Sequence, residues 1–224
     1  MPAYQLVAEH PNFIVINKSA GVHFHSQDGS AGVVAQVEAD RNEKLYSVHR
    51  LDTPTSGLLL LARSSAVAAT LSQQFAEHSI EKRYLALSTD KPKKKQGTIE
   101  GGMAKARRSQ WKLTRAKDNY ATTQFVSASV KPGLRAFLLR PLSGKTHQIR
   151  VALKSIGAPI LGDALYGGVE SDRTYLHAYQ LVFSLNGEQH EFTQAPSCGE
   201  HYLSDELTAL LQQWQQQQPS WPKR

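Results

Sequence analysis

The chain has 224 residues, 40% of them hydrophobic and 20% charged, a composition typical of a globular protein that buries a sizeable core. Its 26 basic and 19 acidic residues give a formal net charge of +7, which favours a polyanionic partner. No apolar run reaches the ~18 residues of a transmembrane helix, no secretory signal pattern opens the chain, and the single cysteine excludes an internal disulfide or a cysteine-rich metal site. These features predict a cytoplasmic enzyme or binding protein.

The first part of the chain predicts short strands, a loop and one helix. Residues 4–10 and 12–16 read as two strands around a Pro-Asn turn. Residues 17–32 are loop-like because they contain three glycines and many polar side chains, and residues 31–39 predict a short helix. Residues 45–48 read as a further short strand that leads into a turn.

The turn His49–Gly57 is the first candidate site. It places an imidazole, a guanidinium and a carboxylate within four residues, and the apolar run Leu58–Ala62 that follows predicts a buried strand. A carboxylate fixed beside apolar packing must be paired or hydrated, so this layout favours a functional site. Considered alone, Asp52 fits a structural role, as an N-cap or turn aspartate, as well as it fits a functional one.

The next segment predicts a helix and a strand. The pair Ser64-Ser65 resembles the N-cap of an amphipathic helix over residues 66–78. Residues 82–88 alternate as a strand does, with Tyr84 on the same side as Ala86. Considered alone, Tyr84 is a half-buried strand aromatic.

The segment from Lys91 to Lys117 holds the whole positive excess of the chain. It contains ten basic residues and one acid, a net charge of +9, whereas the rest of the chain has 16 basic and 18 acidic residues. Its three glycines predict loops joining short strands. Such a distribution is expected of a surface that contacts a phosphate backbone, although a solvated lysine-rich loop is the alternative. The candidate phosphate contacts here are Lys93, Lys94, Lys95, Arg107 and Arg108.

The remainder predicts a hairpin turned at Lys131-Pro132-Gly133, a helix, a compact loop, two further strands and a C-terminal helix. The hairpin strands are residues 120–130 and 135–140, the helix is 146–155 and the loop is 159–168. The two further strands are 176–185 and 189–192, and the C-terminal helix covers about 203–217. Strands are numerous, and helices interrupt them without regular βαβ alternation. The pattern predicts an α+β protein with a mixed, mainly antiparallel sheet flanked by helices and loops. No linker or internal repeat divides the chain, so we expect a single domain over residues 1–224.

The segment Leu142–Val151 is the second candidate site. A helix that begins near Thr146 would direct free N–H groups and its dipole towards an anion, with Lys145 beside that end. The alternative is an ordinary amphipathic helix with Arg150 on its surface. The nine histidines show no metal-ligand spacing, and no nucleotide-binding glycine loop is present. We therefore expect no metal and no cofactor.

Together these segments resemble the RluA-type family of pseudouridine synthases. His49–Leu61 matches the family's H-R-L-D turn with its T-S-G and apolar strand. Gly144–Arg150 matches its G-R-T-H-Q-I-R segment, although Lys145 stands where arginine is usual, and Ile160–Gly167 matches its I-L-G-D and Y-G box.

Two shorter motifs extend the resemblance to about residues 6–195. Residues 176–178 read L-H-A, and Asn17–Gly21 matches the family's N-K-P-A-G with Ser19 in place of proline. The resemblance implies the pseudouridine synthase fold with its active-site cleft at the centre. It also implies a stand-alone catalytic domain, because the S4-type RNA-binding module of some relatives is not expected here.

The resemblance also implies a mechanism in which a uridine is flipped out, cut from its ribose and rejoined through C5. The family's catalytic aspartate corresponds to Asp52, which either attacks C1′ or removes the C2′ proton. Arg150 corresponds to the arginine that pairs with this carboxylate. Tyr84 corresponds to the tyrosine that stacks near the uracil and assists removal of the C5 proton.

Further RNA contacts are implied for Arg50, Ile149 and Lys145. Arg50 corresponds to the residue that enters the space left by the flipped nucleotide. Ile149 would contact the uracil face and Lys145 a phosphate, although lysine lacks the bidentate fork of the usual arginine. His49 receives no role.

The sequence therefore predicts an RNA pseudouridine synthase that acts as a monomer on tRNA or ribosomal RNA, without an obligatory protein partner. Two alternatives remain. One is an inactive RNA-binding protein of the same fold. The other is a hydrolase that uses Asp52 as nucleophile on a small molecule.

Overall fold

A computed structural model describes residues 2–27 and 29–222. Its described part contains four helices and eleven strands. The chain divides into two compact units, one made of residues up to Lys82 with His177–Ala195, the other of Arg83–Leu176 with the residues from Pro196 onwards. The predicted single domain stays a prediction.

The first unit contains a mixed sheet in the order β1-β2-β4-β10. β4 pairs antiparallel with β2 and parallel with the start of β10, while β3 joins β4 and β11 joins β10 as antiparallel neighbours. The strands are β1 Tyr4–His10, β2 Phe13–Lys18, β3 Tyr46–Ser47, β4 Ser56–Ala62, β10 Leu176–Leu185 and β11 Glu188–Thr193.

Two helices belong to the first unit, α1 Val33–Arg41 and α2 Ser65–Ala76. Ser64 caps α2, because its side chain accepts the Val67 N–H, as the sequence predicts. Leu71 of α2 packs against buried β4 residues such as Leu60 in one apolar cluster. This core provides a rigid base for the turn that precedes β4.

The second unit contains an antiparallel sheet in the order β5-β9-β8-β6-β7. The strands are β5 Glu81–Ser88, β6 Gln96–Lys105, β7 Trp111–Thr114, β8 Tyr120–Lys131 and β9 Leu134–Pro141. The helices are α3 Gln148–Ser155 and α4 Asp205–Gln216, with short 3-10 turns at Ala164–Tyr166 and Glu200–Leu203. The two units together confirm the predicted α+β class with a mixed, mainly antiparallel sheet.

The segment around β6 differs from the sequence prediction. Its glycines predict short strands broken by loops, yet β6 runs unbroken through Gly101 and Gly102. A Cβ atom at Gly102 would lie 2.5 Å from the Ala116 carbonyl oxygen, and one at Gly101 would lie 2.8 Å from that of Thr114. These glycines therefore permit close approach of neighbouring backbone and do not end the strand.

Helix α3 begins two residues later than the predicted Thr146. His147 adopts a left-handed conformation (φ 57°, ψ 17°) and is the N-cap residue. The Gln148 side-chain oxygen accepts the Lys145 N–H (2.9 Å), so a local turn replaces the first predicted helical residues. Among residues 2–27 and 29–222, no helix has the length and apolar character needed to cross a membrane.

Candidate active site

The backbone around Asp52 is fixed by hydrogen bonds within the first unit. The Thr55 N–H donates to the Asp52 carbonyl oxygen (3.0 Å), which closes a tight turn. The Thr53 carbonyl oxygen accepts from the Gly21 N–H (2.8 Å) and from Lys18 Nζ (3.2 Å). The loop after β2 therefore fastens this turn, and Asp52 stands half-buried on a defined backbone.

Lys18 is a buried cation that the sequence prediction missed. Its side chain is fully buried, and Nζ also donates to the carbonyl oxygens of Ser19 (2.8 Å) and Val22 (2.9 Å). With Thr53 this gives three acceptors, matching the three hydrogens of an ammonium group. A lysine at the end of the apolar strand Phe13–Lys18 is the signal that could have revealed it.

A serine–histidine pair holds the junction between β4 and β10. The Ser56 hydroxyl lies 2.8 Å from His177 Nδ1, and His177 Nε2 donates to the Gln194 carbonyl oxygen (2.8 Å). Because that carbonyl can only accept, the Nε2 atom carries a proton, and in the neutral ring Nδ1 accepts from Ser56. Gly57 has φ 113°, and a Cβ there would lie 2.4 Å from the Ala178 carbonyl oxygen. The T-S-G and L-H-A motifs therefore meet where the Asp52 turn enters β4.

His49 has a structural role that the sequence did not assign. Its Nε2 accepts the Leu60 N–H (3.0 Å), and its ring stacks on Phe75 at 4.5 Å between centroids. Burial and the nearby charge of Lys82 lower the pKa of His49 to about 3. A neutral His49 therefore braces the turn against β4, while the adjacent Arg50 is exposed.

Tyr84 lies half-buried on β5 in the second unit, opposite Leu139 of β9. The neighbouring residue Leu85 is fully buried, and its carbonyl oxygen accepts from the Tyr202 hydroxyl (3.0 Å). β5 is therefore anchored on both sides of its backbone, and Tyr84 stands on a rigid strand as the alternation predicts.

Arg150 forms a buried ion pair with Asp163, a residue to which the sequence analysis gave no role. Nε donates to Oδ2 (2.7 Å) and one Nη donates to Oδ1 (2.8 Å), so the carboxylate binds the guanidinium side-on. The side chains are only 6% and 2% exposed. Such a bidentate pair orients the guanidinium strongly. An acid following glycine inside the apolar loop after α3 is the signal that could have identified it.

The start of α3 positions the other candidate residues of this segment. Gln148 accepts from the Ser143 hydroxyl (2.8 Å) and donates to the Thr123 hydroxyl (3.0 Å), which binds the helix start to β8. Lys145 is half-exposed just before the helix, whereas Ile149 is only 7% exposed. The structure therefore brings Lys145, Ile149 and Arg150 together around one helix start.

The basic residues form two separate groups at opposite ends of β6. Lys93–Lys95 are exposed and precede the strand, while Arg107 and Arg108 are exposed and follow it. Ten residues at ~3.3 Å each separate the groups by roughly 30 Å along the strand. A phosphate backbone would therefore meet these five candidate residues at two separate contact points.

Asp52 and Arg50 belong to the first unit, and the other candidate residues belong to the second. The approach of the Asp52 carboxylate to Arg150 stays a prediction. In the second unit, the ion pair found for Arg150 is with Asp163.

One group in the described part of the chain could hold a metal ion. Potential ligand atoms of His10, Glu188 and His190 lie within 4.8 Å of one another. However, His10 Nδ1 accepts the Asn12 N–H (3.2 Å), so the lone pair of that nitrogen is already engaged in a hydrogen bond. The predicted absence of a metal stays a prediction.

Three comparisons with known proteins bear on this site. The family model described as RNA pseudouridylate synthase matches residues 12–155. The chain is 49% identical over 211 residues to an uncharacterized RNA pseudouridine synthase of Haemophilus influenzae, covering 93% of this chain and 94% of that protein. It is 33% identical to ribosomal large subunit pseudouridine synthase C of Rickettsia bellii, covering 80% of this chain and 63% of that protein.

The fold agrees with these relatives. Human RNA pseudouridylate synthase domain containing 1 superposes with a TM-score of 0.76 at 23% identity, covering 98% of this chain and 97% of that structure. The family, the fold and the enzyme class that the motifs predict are thereby confirmed. This chain belongs to the RNA pseudouridylate synthase family, whose members are isomerases.

Proposed function

We propose that this chain converts uridine to pseudouridine in structured RNA, with Asp52 as the reacting carboxylate. Either the carboxylate forms an ester at C1′ as the N1–C1′ bond breaks, or it removes the C2′ proton to leave a glycal. The freed uracil then turns and C5 bonds to C1′, as the ester bond at C1′ breaks or, in the glycal route, as the proton returns to C2′. The C5 proton then leaves and N1 gains a proton. Substrate and product have the same atoms, so no oxidant, reductant or second substrate is required.

The observation that carries the proposal is the buried pair between Arg150 and Asp163. A guanidinium held side-on by a carboxylate that is 2% exposed has a set orientation. Following the family resemblance, we assign this guanidinium to the Asp52 carboxylate as well, because a charge-assisted hydrogen bond would align the carboxylate with the ribose. Asp163 is then the residue that holds Arg150 ready for this task.

Tyr84 and Arg50 complete the proposed machinery. Tyr84 stands on the anchored strand β5, where its ring would stack on the uracil and its hydroxyl would assist loss of the C5 proton. The exposed Arg50 would fill the gap left by the flipped nucleotide. Flipping costs a few kcal/mol, which phosphate contacts by Lys93–Lys95 and by Arg107 and Arg108 would offset.

Ribosomal RNA is the substrate we put first, and tRNA is second. The name of the Rickettsia bellii relative refers to the large ribosomal subunit, and accessible single-stranded loops of folded RNA are the usual targets of base-specific reading. We further propose that the chain acts as a monomer in the cytoplasm, where these RNAs mature. Light scattering of the purified protein, alone and with RNA, tests the monomer.

Mapping pseudouridines in ribosomal RNA and tRNA tests the proposed substrate. Cells lacking this chain should lose one or a few pseudouridines, and the wild-type gene should restore them. A gene encoding Asp52→Asn should not restore them, whereas one encoding Asp90→Asn, a change at an exposed aspartate, should. If every pseudouridine persisted in the deletion strain, the RNA substrate proposal would be wrong.

A further inference from the structure

Tyr166 is a buried side chain with contacts to three functional segments of the second unit. It is 1% exposed, and its hydroxyl oxygen accepts the Trp111 N–H at 3.0 Å. The same oxygen lies 2.7 Å from His147 Nδ1, at the N-cap of α3. The Arg150 guanidinium carbon lies 4.9 Å from the centre of the Tyr166 ring. One phenol therefore joins strand β7, the start of α3 and the proposed catalytic arginine.

The 3-10 turn Ala164–Tyr166 brings a carboxylate and an aromatic ring to the same guanidinium. The Tyr166 N–H donates to the Asp163 carbonyl oxygen (3.0 Å), which fixes the spacing of the two side chains. Asp163 binds the edge of the Arg150 guanidinium, and the Tyr166 ring lies against it. A displacement of this turn would therefore move both groups that orient Arg150.

The tip of the β6–β7 hairpin, residues 106–110, rests on the same turn. Arg108 and Ser109 both adopt left-handed conformations (φ 55° and 59°), which gives the tip the tight shape of a two-residue hairpin loop. The side chain of Gln110 donates to the Leu165 carbonyl oxygen (2.7 Å). The next residue, Trp111, supplies the N–H that binds Tyr166. Arg107 and Arg108 thus precede Trp111, whose N–H binds Tyr166, by only four and three residues.

We propose that Tyr166 is a positioning residue that couples RNA binding at the hairpin tip to the orientation of Arg150. A phosphate bound by Arg107 and Arg108 draws the tip towards the RNA, and the Trp111–Tyr166 hydrogen bond transmits this displacement to the ring against Arg150. The active arrangement is thereby favoured when RNA occupies the hairpin. This inference rests on the proposed function of Arg150.

Tyr166→Phe tests the inference because it keeps the ring and removes the hydroxyl. The matched control is Tyr175→Phe. Tyr175 is equally buried, its hydroxyl also accepts a backbone N–H, from His201 (3.1 Å), and its ring also lies near an arginine, Arg173 (5.9 Å). Both variants should lose similar stability in urea unfolding.

The expected readout is a change in kcat without a matching change in RNA affinity. Loss of the hydroxyl, which contacts both the Trp111 N–H and His147 Nδ1, predicts that Tyr166→Phe lowers kcat about 5- to 10-fold. Its KM and Kd for RNA should stay within about twofold of wild type, and Tyr175→Phe should keep kcat within about twofold. Equal kcat values for the two variants would overturn the proposal.

A double-mutant cycle separates coupling from mere structural support. In the wild-type background, Arg107→Gln/Arg108→Gln should weaken RNA binding and also lower kcat at saturating RNA by about 3-fold or more. In the Tyr166→Phe background the same pair should weaken binding and leave kcat unchanged, because the connection is already lost. If Arg107→Gln/Arg108→Gln has the same kcat at saturating RNA as the wild-type protein, the coupling is refuted. This comparison holds even if Tyr166→Phe does not fold.

Failure of the inference and failure of the proposed function give different results. If Asp52→Asn and Arg150→Lys keep full activity, the proposed site is wrong. If those variants lose activity while Tyr166→Phe behaves as Tyr175→Phe does, the site stands and the coupling is wrong.

Discussion

The buried ion pair of Arg150 and Asp163 predicts a large loss of stability in Asp163→Asn. The side chains are 6% and 2% exposed, so the substitution takes the negative charge of Asp163 away from a buried guanidinium. Breaking a buried pair in this way costs about 3 to 5 kcal/mol. Asparagine keeps one acceptor oxygen, so we expect a value near the lower end, about 3 kcal/mol. That is a large fraction of a total stability of about 5 to 15 kcal/mol.

Urea unfolding followed by tryptophan fluorescence measures this loss. A loss of about 3 kcal/mol lowers the urea midpoint by about 1 M or more. The control is Lys44→Ala, which removes the exposed pair with Glu38 (3.0 Å, Lys44 side chain 72% exposed). Exposed pairs contribute about 0 to 1 kcal/mol, so Lys44→Ala should unfold almost as wild type does. An Asp163→Asn protein as stable as Lys44→Ala would refute the importance of the buried pair.

A double substitution distinguishes stability from function at the same pair. Arg150→Met/Asp163→Leu replaces both charges with apolar groups, which at buried sites is often neutral or stabilising. We expect this protein to recover most of the stability lost by Asp163→Asn and to have no pseudouridine synthase activity. Full activity in the double variant would show that neither residue serves the chemistry.

Three further predictions concern other parts of the chain. The pKa of His49 is about 3 in the fold against about 6.5 in the unfolded chain, so the unfolded chain binds more protons and stability falls as the pH drops from about 6.5 towards 3. In urea unfolding, the free energy of unfolding should fall by up to about 1.4 kcal/mol per pH unit. His49→Gln should show a flatter pH dependence, and equal slopes for the two proteins would contradict the role of His49. Gly57→Ala should destabilise the fold by more than about 2 kcal/mol, because a Cβ atom there meets the Ala178 backbone. Gly133→Ala, at a position with open space around it, should cost about 1 to 2 kcal/mol. Similar losses of stability in the two variants would argue against the close approach at Gly57. Replacing Lys93–Lys95 with glutamine should reduce the salt dependence of RNA binding. If three phosphate contacts are lost, the slope of log K against log salt concentration should decrease in magnitude by about 2. An unchanged slope would show that these lysines do not contact the RNA.

Local sequence signals predicted the elements that local forces decide. The apolar run after the Asp52 turn predicts β4, and Ser64-Ser65 with the amphipathic spacing that follows predicts α2; the structure contains both elements. The tight turn at Lys131-Pro132-Gly133 likewise predicts the β8–β9 hairpin. In each case the residues that form the element lie within a few positions of one another.

Contacts between distant residues could not be predicted in the same way. Asp163 is the partner of Arg150 across thirteen positions, and Trp111 donates to Tyr166 across fifty-five. The glycines of β6 predict breaks in the strand when only their local flexibility is considered. In the structure they leave room for the backbone of residues that are distant in the sequence. His49 received no role because its partner, the Leu60 N–H, is recognisable only once the strand is in place.

Tritium release from RNA labelled at C5 of uridine tests the central claim most directly. Purified wild-type protein should release tritium from ribosomal RNA or tRNA, and so should Asp90→Asn, whose substitution is chemically the same at an exposed position. Asp52→Asn and Asp52→Ala should release none above background while still binding the RNA. Full release by the Asp52 variants would contradict the assignment of Asp52 as the reacting carboxylate.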